Sequence, residues 1–365
     1  MLAKEIVFLI LTFVVAFAFS FAATPIAYRL AFKLGAIDVP KDKRRVHKNP
    51  TPRLGGIAIV FGFMVAICCF GEITREFAAI LVGAAIIFVM GIVDDCKDLP
   101  AKFKFVIQII AALVVIIGGN IRITVFTNPN IFAENPYLVL PWWLSGIVTV
   151  IWIVFITNAV NFIDGLDGLA AGVSAIMAVS LVFIALRIQN YAVAAIGLAL
   201  MGACFGFLPF NFNPAKIFMG DCGSTFLGFI LATLSIQGVF KSYAIISFAV
   251  PLLILGLPLF DAMFAMIRRI WHGKNPMSAD RGHLHHRLID TGFSQKQTVF
   301  ILYAISGVLG ITAVLLAEYG SMRALILLIT VLILVFLVGV MPKHPLVGEN
   351  EDEEGIEEDI TEENE

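Results

Sequence analysis

Long stretches of this 365-residue chain, such as Ile6–Ala23, Ala78–Val93, Phe105–Ile117 and Leu325–Val340, carry no charge. An apolar helix of about 20 residues crosses the ~30 Å hydrocarbon core of a bilayer, so repeated runs of this kind decide which solvent the chain folds in. The composition agrees: 59% of residues are hydrophobic and 14% charged, against about 45–50% and about 25% in a soluble domain. A soluble enzyme, a disordered protein and a disulfide scaffold are excluded. The five cysteines (Cys68, Cys69, Cys96, Cys204 and Cys222) show no CxxC spacing and read as small apolar fillers or reduced thiols. The expected fold class is all-α, a polytopic integral membrane protein.

Hydropathy places about eleven helices, near residues 5–27, 54–70, 77–93, 103–118, 140–162, 168–186, 191–209, 223–238, 243–267, 297–317 and 322–341. The first apolar stretch has no small-residue cleavage site and reads as a retained helix rather than a removed signal. No repeat or linker divides the chain, so residues 1–341 are expected to form one membrane-embedded domain. Residues 349–365 hold 11 of the 27 acidic residues. Without aromatics and dense in charge, the segment 342–365 is expected to be a disordered acidic tail.

If the N-terminus faces outward, the inner loops collect 19 of the 25 lysines and arginines, which sets the C-terminus in the cytoplasm by the positive-inside rule. On that orientation all 13 aspartates and all six histidines fall on or near the inner side. Carboxylate and imidazole are the groups that hold metals, meet phosphates and move protons. The chemistry is therefore expected at the cytoplasmic face of the membrane.

Four polar blocks carry it. Asp94, Asp95 and Asp98 end the third helix; Asp94 and Asp98 share a face if that helix continues, and a divalent cation would relieve their repulsion. A solvated helix end is the plain alternative. Asn158, Asn161 and Asp164 recur every three residues at the end of the fifth helix, before a turn containing Gly165, Asp167 and Gly168. Such polar groups at the edge of hydrocarbon are costly unless they have partners or work to do. Asn211 to Ser224 sets Asp221 between Gly220 and Gly223 just before a helix, either as an N-cap or beside backbone N–H groups that would attract phosphate. Asp280-Arg281-Gly282-His283-Leu284-His285-His286-Arg287 gathers arginine and imidazole donors, which suits an anion better than zinc. Asp261, within the ninth helix, is expected either to serve function or to pair with Arg268.

Taken together with Lys48-Asn49-Pro50-Thr51-Pro52-Arg53-Leu54-Gly55-Gly56, these blocks resemble those of the polyprenyl-phosphate N-acetylhexosamine-1-phosphate transferase superfamily. The resemblance spans residues 48–287. It implies transfer of a sugar 1-phosphate from a UDP-sugar to a lipid phosphate with release of UMP, dependent on Mg²⁺ (with Mn²⁺ as a substitute). The pattern His283-Leu284-His285-His286, rather than three consecutive histidines, looks like the N-acetylglucosamine branch, so UDP-N-acetylglucosamine and undecaprenyl phosphate are the implied substrates. Teichoic acid, O-antigen or a similar surface glycan is the implied product line.

By the same resemblance, Asn161 and Asp221 match metal ligands, and Asp94 and Asp95 match the acidic pair that activates or positions the lipid phosphate. Phe218 and Asp167 match residues that stack on and hydrogen-bond uracil, with Asp164 beside them. Arg281, His283, His285 and His286 match the group that grips diphosphate and sugar; Lys48 and Asn211 match further nucleotide-pocket positions. Members are often homodimers, and no nucleic-acid partner is expected. Two other readings stay open at this stage: a phospho-N-acetylmuramoyl-pentapeptide transferase, and an ion-coupled transporter, whose broken helices and intramembrane acids are similar in kind.

Overall fold

The computed structural model describes residues 2–39, 50–71, 74–127, 137–240, 249–271, 273 and 282–319. Twelve α-helices lie within them: α1 Leu2–Leu34, α2 Gly56–Phe70, α3 Arg75–Lys97, α4 Ala101–Gly119, α5 Trp142–Phe162, α6 Leu169–Arg187, α7 Tyr191–Asn211, α8 Asp221–Ser235, α9 Ala249–Ile254, α10 Gly256–Trp271, α11 Leu284–Asp290 and α12 Gln295–Tyr319. Among the described residues seven of these (α1, α3, α4, α5, α6, α7 and α12) are long and apolar enough to cross a membrane. The protein is a polytopic all-α membrane protein.

The bundle is built around α8. Every residue from Cys222 to Ser235 is buried, and α8 packs against α2, α3 and α5. A helix apolar all round belongs in such a position. Its start is pressed onto the start of α2: a Cβ added to Gly56 would overlap the backbone nitrogen of Gly223. Small residues allow this approach, which side chains between the helices would prevent. The peripheral helices look outward instead, with Val7, Ile10, Ile26, Val89 and Ile117 all exposed, as suits side chains that face lipid. Between α4 and α5, Gln108 and Asn158 satisfy each other, exchanging hydrogen bonds at 2.6 and 3.2 Å.

Two expected helices differ from the observed ones. The segment expected at 243–267 is divided, within the described residues, into α9 and α10 by a turn at Leu255. The segment expected at 223–238 starts two residues earlier and passes into a π-helical turn, Ile236–Phe240. The helix expected at 322–341 and the tail 342–365 lie outside the described residues.

Short extended segments join the helices at the end where the polar blocks gather. Strands β1 (Ile37–Asp38) and β2 (Thr51–Pro52) pair antiparallel, Ile37 opposite Pro52 and Asp38 opposite Thr51. The next residues then pair with the segment before α8: Phe218 N–H donates to Pro52 O at 2.8 Å and Gly55 N–H to Phe218 O at 2.9 Å. At the opposite end a second hairpin, β3 (Val125–Thr127) with β4 (Tyr137–Val139), connects α4 to α5.

Candidate functional site

The start of α8 is capped from another helix. Asp95 of α3, 3% exposed, accepts from Asp221 N–H at 2.9 Å through Oδ1 and from Cys222 N–H at 3.0 Å through Oδ2. The next two N–H groups, of Gly223 and Ser224, donate to Gly220 O at 3.1 and 3.0 Å. A helix start leaves its first N–H groups without intrahelical acceptors, and here those of Asp221, Cys222 and Gly223 each have one. Two expectations are corrected. Asp221 is the first helical residue rather than the N-cap, a place taken by Gly220 at φ 74°. The α8 terminus is also no seat for phosphate, because the Asp95 carboxylate fills it.

With its backbone nitrogen tied to Asp95, Asp221 turns its carboxylate outward. Oδ1 accepts from Asn161 Nδ2 at 3.1 Å, and Oδ2 lies 3.1 Å from Lys104 Nζ. Lys104 also reaches Asp94 Oδ2 at 2.9 Å, while Asp94 Oδ1 accepts from Leu99 N–H at 2.7 Å. One ammonium thus bridges carboxylates from α3 and α8. Asp94 and Asp98 do not share a helical face, because the helix does not continue as that expectation required. α3 stops at Lys97 and Asp98 turns into the left-handed region at φ 48°, so Asp98 faces solvent and meets Arg53 at 2.9 Å. Asn158 does not join Asn161 either; it is held by Gln108 and by Val154 O.

Of these groups, Arg53, Asp95, Asn161 and Asp221 border a cavity of about 360 Å³. Of the expected site residues, Asp95, Asn161, Asp164, Asp167, Asn211, Phe218, Asp221 and His286 line it. Asp94, His283 and His285 sit behind its wall, and Lys48 and Arg281 lie outside the described residues. Asn211 is 2% exposed and works as a clip: its Oδ1 accepts from Gly168 N–H at 3.1 Å, and its Nδ2 donates to Ile217 O at 3.0 Å. Asp167 Oδ2 accepts from Asn213 Nδ2 at 2.9 Å and Ala215 N–H at 3.0 Å. The turn after α5 and the loop before α8 are thereby fastened together around the cavity.

Sequence reading missed four contributors. Arg53 and Asp38 come from the β1–β2 segments and Gln295 from the start of α12, where Gln295 Oε1 accepts from Asn213 Nδ2 at 2.6 Å. Lys104 counted only as one more inner-loop cation. Arg53 stands in a block that carries the resemblance, without a task assigned to it there, and no local pattern marks the other three, which are brought in by tertiary packing.

The cavity carries five aspartates. Burial first, then the negative charges of Asp221, Asp95 and Asp167, push the Asp164 carboxyl up to about 8, so at neutral pH it favours its uncharged form. Among the described residues no three His, Cys, Asp or Glu side chains converge to cage a metal. The donor chemistry nevertheless suits a small hard cation. Mg²⁺ is commonly held by one or two carboxylates with substrate phosphates and water completing its shell. Asp221 provides carboxylate oxygens beside the Asn161 amide, whose Nδ2 donates to Asp221 Oδ1, and the ammonium of Lys104 already sits where a positive charge is favoured.

Comparison with known proteins gives these features a family. Residues 77–239 match the profile of "Glycosyl transferase family 4". A Bacillus subtilis protein named "Probable undecaprenyl-phosphate N-acetylglucosaminyl 1-phosphate transferase" is 39% identical over 340 residues, covering 93% of each chain. The chain belongs to glycosyl transferase family 4. A "Decaprenyl-phosphate N-acetylglucosaminephosphotransferase" of Mycobacterium tuberculosis is 33% identical, over 80% of this chain and 78% of its own. An "Undecaprenyl-phosphate alpha-N-acetylglucosaminyl 1-phosphate transferase" of Salmonella typhimurium is 27% identical, over 86% and 85%. The part matching the family 4 profile holds Asp94, Asp95, Asn161, Asp167 and Asp221, whereas Arg53 and the histidines of α11 lie on either side of it.

Proposed function

We propose that this family 4 protein transfers N-acetylglucosamine 1-phosphate from UDP-N-acetylglucosamine to undecaprenyl phosphate. UMP is released, and the lipid-linked sugar starts a surface polysaccharide such as teichoic acid or O-antigen. The observation that carries this reading is likeness across 93% of the chain to a protein of that name, joined to a polar cavity at the end of an apolar bundle. A prenyl acceptor needs hydrocarbon and a nucleotide-sugar needs water, so the site belongs at the boundary between them.

Each residue then has a task. Phe218 presents a ring for the uracil, and Asp167, with Oδ2 occupied by Asn213 and Ala215, keeps Oδ1 for the base. Asn161 and Asp221 hold the metal. Bound Mg²⁺, or Mn²⁺ in its place, supplies the positive charge that lets anionic donor and acceptor approach. Asp94 serves the acceptor side through Lys104, which it holds at 2.9 Å; Asp95 serves by fixing the start of α8. Asp164 borders the diphosphate in its uncharged form, which lowers the repulsion an anion meets. His286, Lys48 and Arg281 grip diphosphate and sugar, with His283 and His285 behind them. Phosphoryl transfer asks mainly for alignment and charge compensation, which this set provides.

Eleven spans, the N-terminus outside, the site and acidic tail in the cytoplasm, and a homodimer complete the reading. The orientation is supported by the inner-loop excess of basic residues, the span count by hydropathy, and the homodimer by the family resemblance. The test is UMP release by purified protein with Mg²⁺, undecaprenyl phosphate and one of three donors: UDP-N-acetylglucosamine, its galacto epimer or the muramoyl-pentapeptide nucleotide. Release with the first alone is expected. No release with any donor defeats the reading, and release with the third alone would move the protein to the peptidoglycan branch.

A further inference from the structure

Asp261 is the acid that the motifs left without a task. It lies on α10 and is 7% exposed, a position where an unpartnered carboxylate is costly. Of the two alternatives for it, pairing with Arg268 is not the one found. Its Oδ2 lies 2.9 Å from His283 Nδ1, and its Oδ1 accepts from Leu284 N–H at 2.7 Å. Arg268 instead donates through Nη1 to Gly282 O at 2.7 Å. Two side chains of α10 therefore hold three consecutive residues, 282 to 284, at the point where the chain re-enters the site.

That anchor fixes more than a loop. His283 occupies the N-cap position of α11, but its own side chain makes no capping bond; Asp261 supplies the acceptor from 23 residues away. α11 carries the other two imidazoles. The His285 ring packs so closely on the turn after α5 that a Cβ on Gly165 would overlap its Nε2. The His283 and His285 rings lie 5.7 Å apart within 9° of parallel, and His286, 4.3 Å from His285, reaches the cavity wall. His283 is itself 8% exposed and behind that wall.

We infer that Asp261 is a positioning residue, acting through His283 and the first turn of α11 to set how the histidine segment meets the cavity. A carboxylate facing Nδ1 keeps the proton on that nitrogen and leaves Nε2 bare in the neutral ring. Asp261 thus selects one tautomer of His283 while capping α11. The kinetic side of this inference rests on the transferase reading above; the tautomer does not.

The test compares Asp261→Asn with Asp261→Ala, His283→Gln and the Asn/Gln double variant. Asparagine keeps the volume and can still accept from Leu284 N–H, but turns an amide N–H₂ toward His283 Nδ1. Its ring proton should then move to Nε2. Nitrogen NMR of ¹⁵N-histidine-labelled protein, with His283 assigned through His283→Gln, is expected to show Nδ1–H in the wild type and Nε2–H in Asp261→Asn. Both Asp261 variants should lower kcat for UMP release at least about tenfold, as loss of a partner that orients a histidine does elsewhere. Asp261→Asn should add no further loss on the His283→Gln background. An unmoved tautomer with wild-type kcat overturns the inference, and so does a loss that is fully additive with His283→Gln. If the wild type releases no UMP while the tautomer shifts, the transferase reading fails and the Asp261–His283 pairing stands.

Discussion

Asp95 and Asp221 are separated by 126 positions, yet the carboxylate of the first accepts the backbone N–H of the second at 2.9 Å. The bond belongs to a tertiary cap. α3 ends by placing an acid at the start of α8, so the orientation of the Asp221 side chain depends on a residue from another helix.

Asp95→Asn should therefore lower stability and activity together. Replacing one carboxylate oxygen by an amide sets N–H₂ against a backbone N–H, and loss of a charged acceptor for a buried donor costs about 1–3 kcal/mol. Asp221→Ala removes a side chain whose backbone cap survives. It should cut UMP release at least about 100-fold, the scale of losing one electrostatic group from such a site, with a smaller fall in Tm. Thermal unfolding in detergent beside the UMP assay checks both; equal Tm losses would deny Asp95 its capping role.

Lys104→Met removes the ammonium shared by Asp94 and Asp221, at 2.9 and 3.1 Å. The two acids then face each other without compensation, and breaking a partly buried pair from one side is destabilising. In chelator the variant should unfold at a lower temperature than the wild type. Millimolar Mg²⁺ should restore more of Tm in the variant than it adds to the wild type, because the cation takes over the missing charge. An identical Mg²⁺ response in both proteins would separate Lys104 from the cation site.

Gly220→Ala tests the turn into α8. Gly220 has φ 74°, and a Cβ there would overlap the Arg53 carbonyl and lie 2.5 Å from Asp95 Oδ2. Left-handed strain of about 1–3 kcal/mol would add to displacement of the cap. The variant should lose Tm and UMP release even though alanine carries no polar group. Retention of both would show that the turn relaxes freely.

His285 gives a pH dependence with a definite sign. Burial, then the neighbouring imidazoles of His286 and His283, hold its pKa down to about 3 against the ordinary 6.5, with Asp261 opposing them. The fold keeps it neutral, so above pH 6.5 it contributes no slope. As pH falls below 6.5 the unfolded chain takes up a proton that the fold refuses, and stability declines until about pH 3. His285→Gln should flatten that part of the Tm–pH curve. An unchanged slope would mean that His285 protonates freely in the folded protein.

Long-range contacts also explain what the motifs misassigned. Asp94, Asp95 and Asp98 look like one cluster in the chain, but the left-handed Asp98 ends α3 and sends the three to Lys104, to α8 and to Arg53. Asn158 and Asn161 share a spacing and part company because Gln108 on α4 is there to take the first. Asp261 looked within reach of Arg268 along one helix, and its actual partners arrive from the return of the chain at His283 and Leu284.

The chain alone determined the solvent, most of the long helices and the cluster of chemistry at one end, because hydropathy and charge act on each segment separately and leave their mark in local composition. The fold alone decided which oxygen meets which donor: Asp95 on the start of α8, Lys104 between two acids, Asp261 on His283. Those choices depend on side chains brought together across helices, and no spacing along the chain encodes a neighbour that arrives from elsewhere.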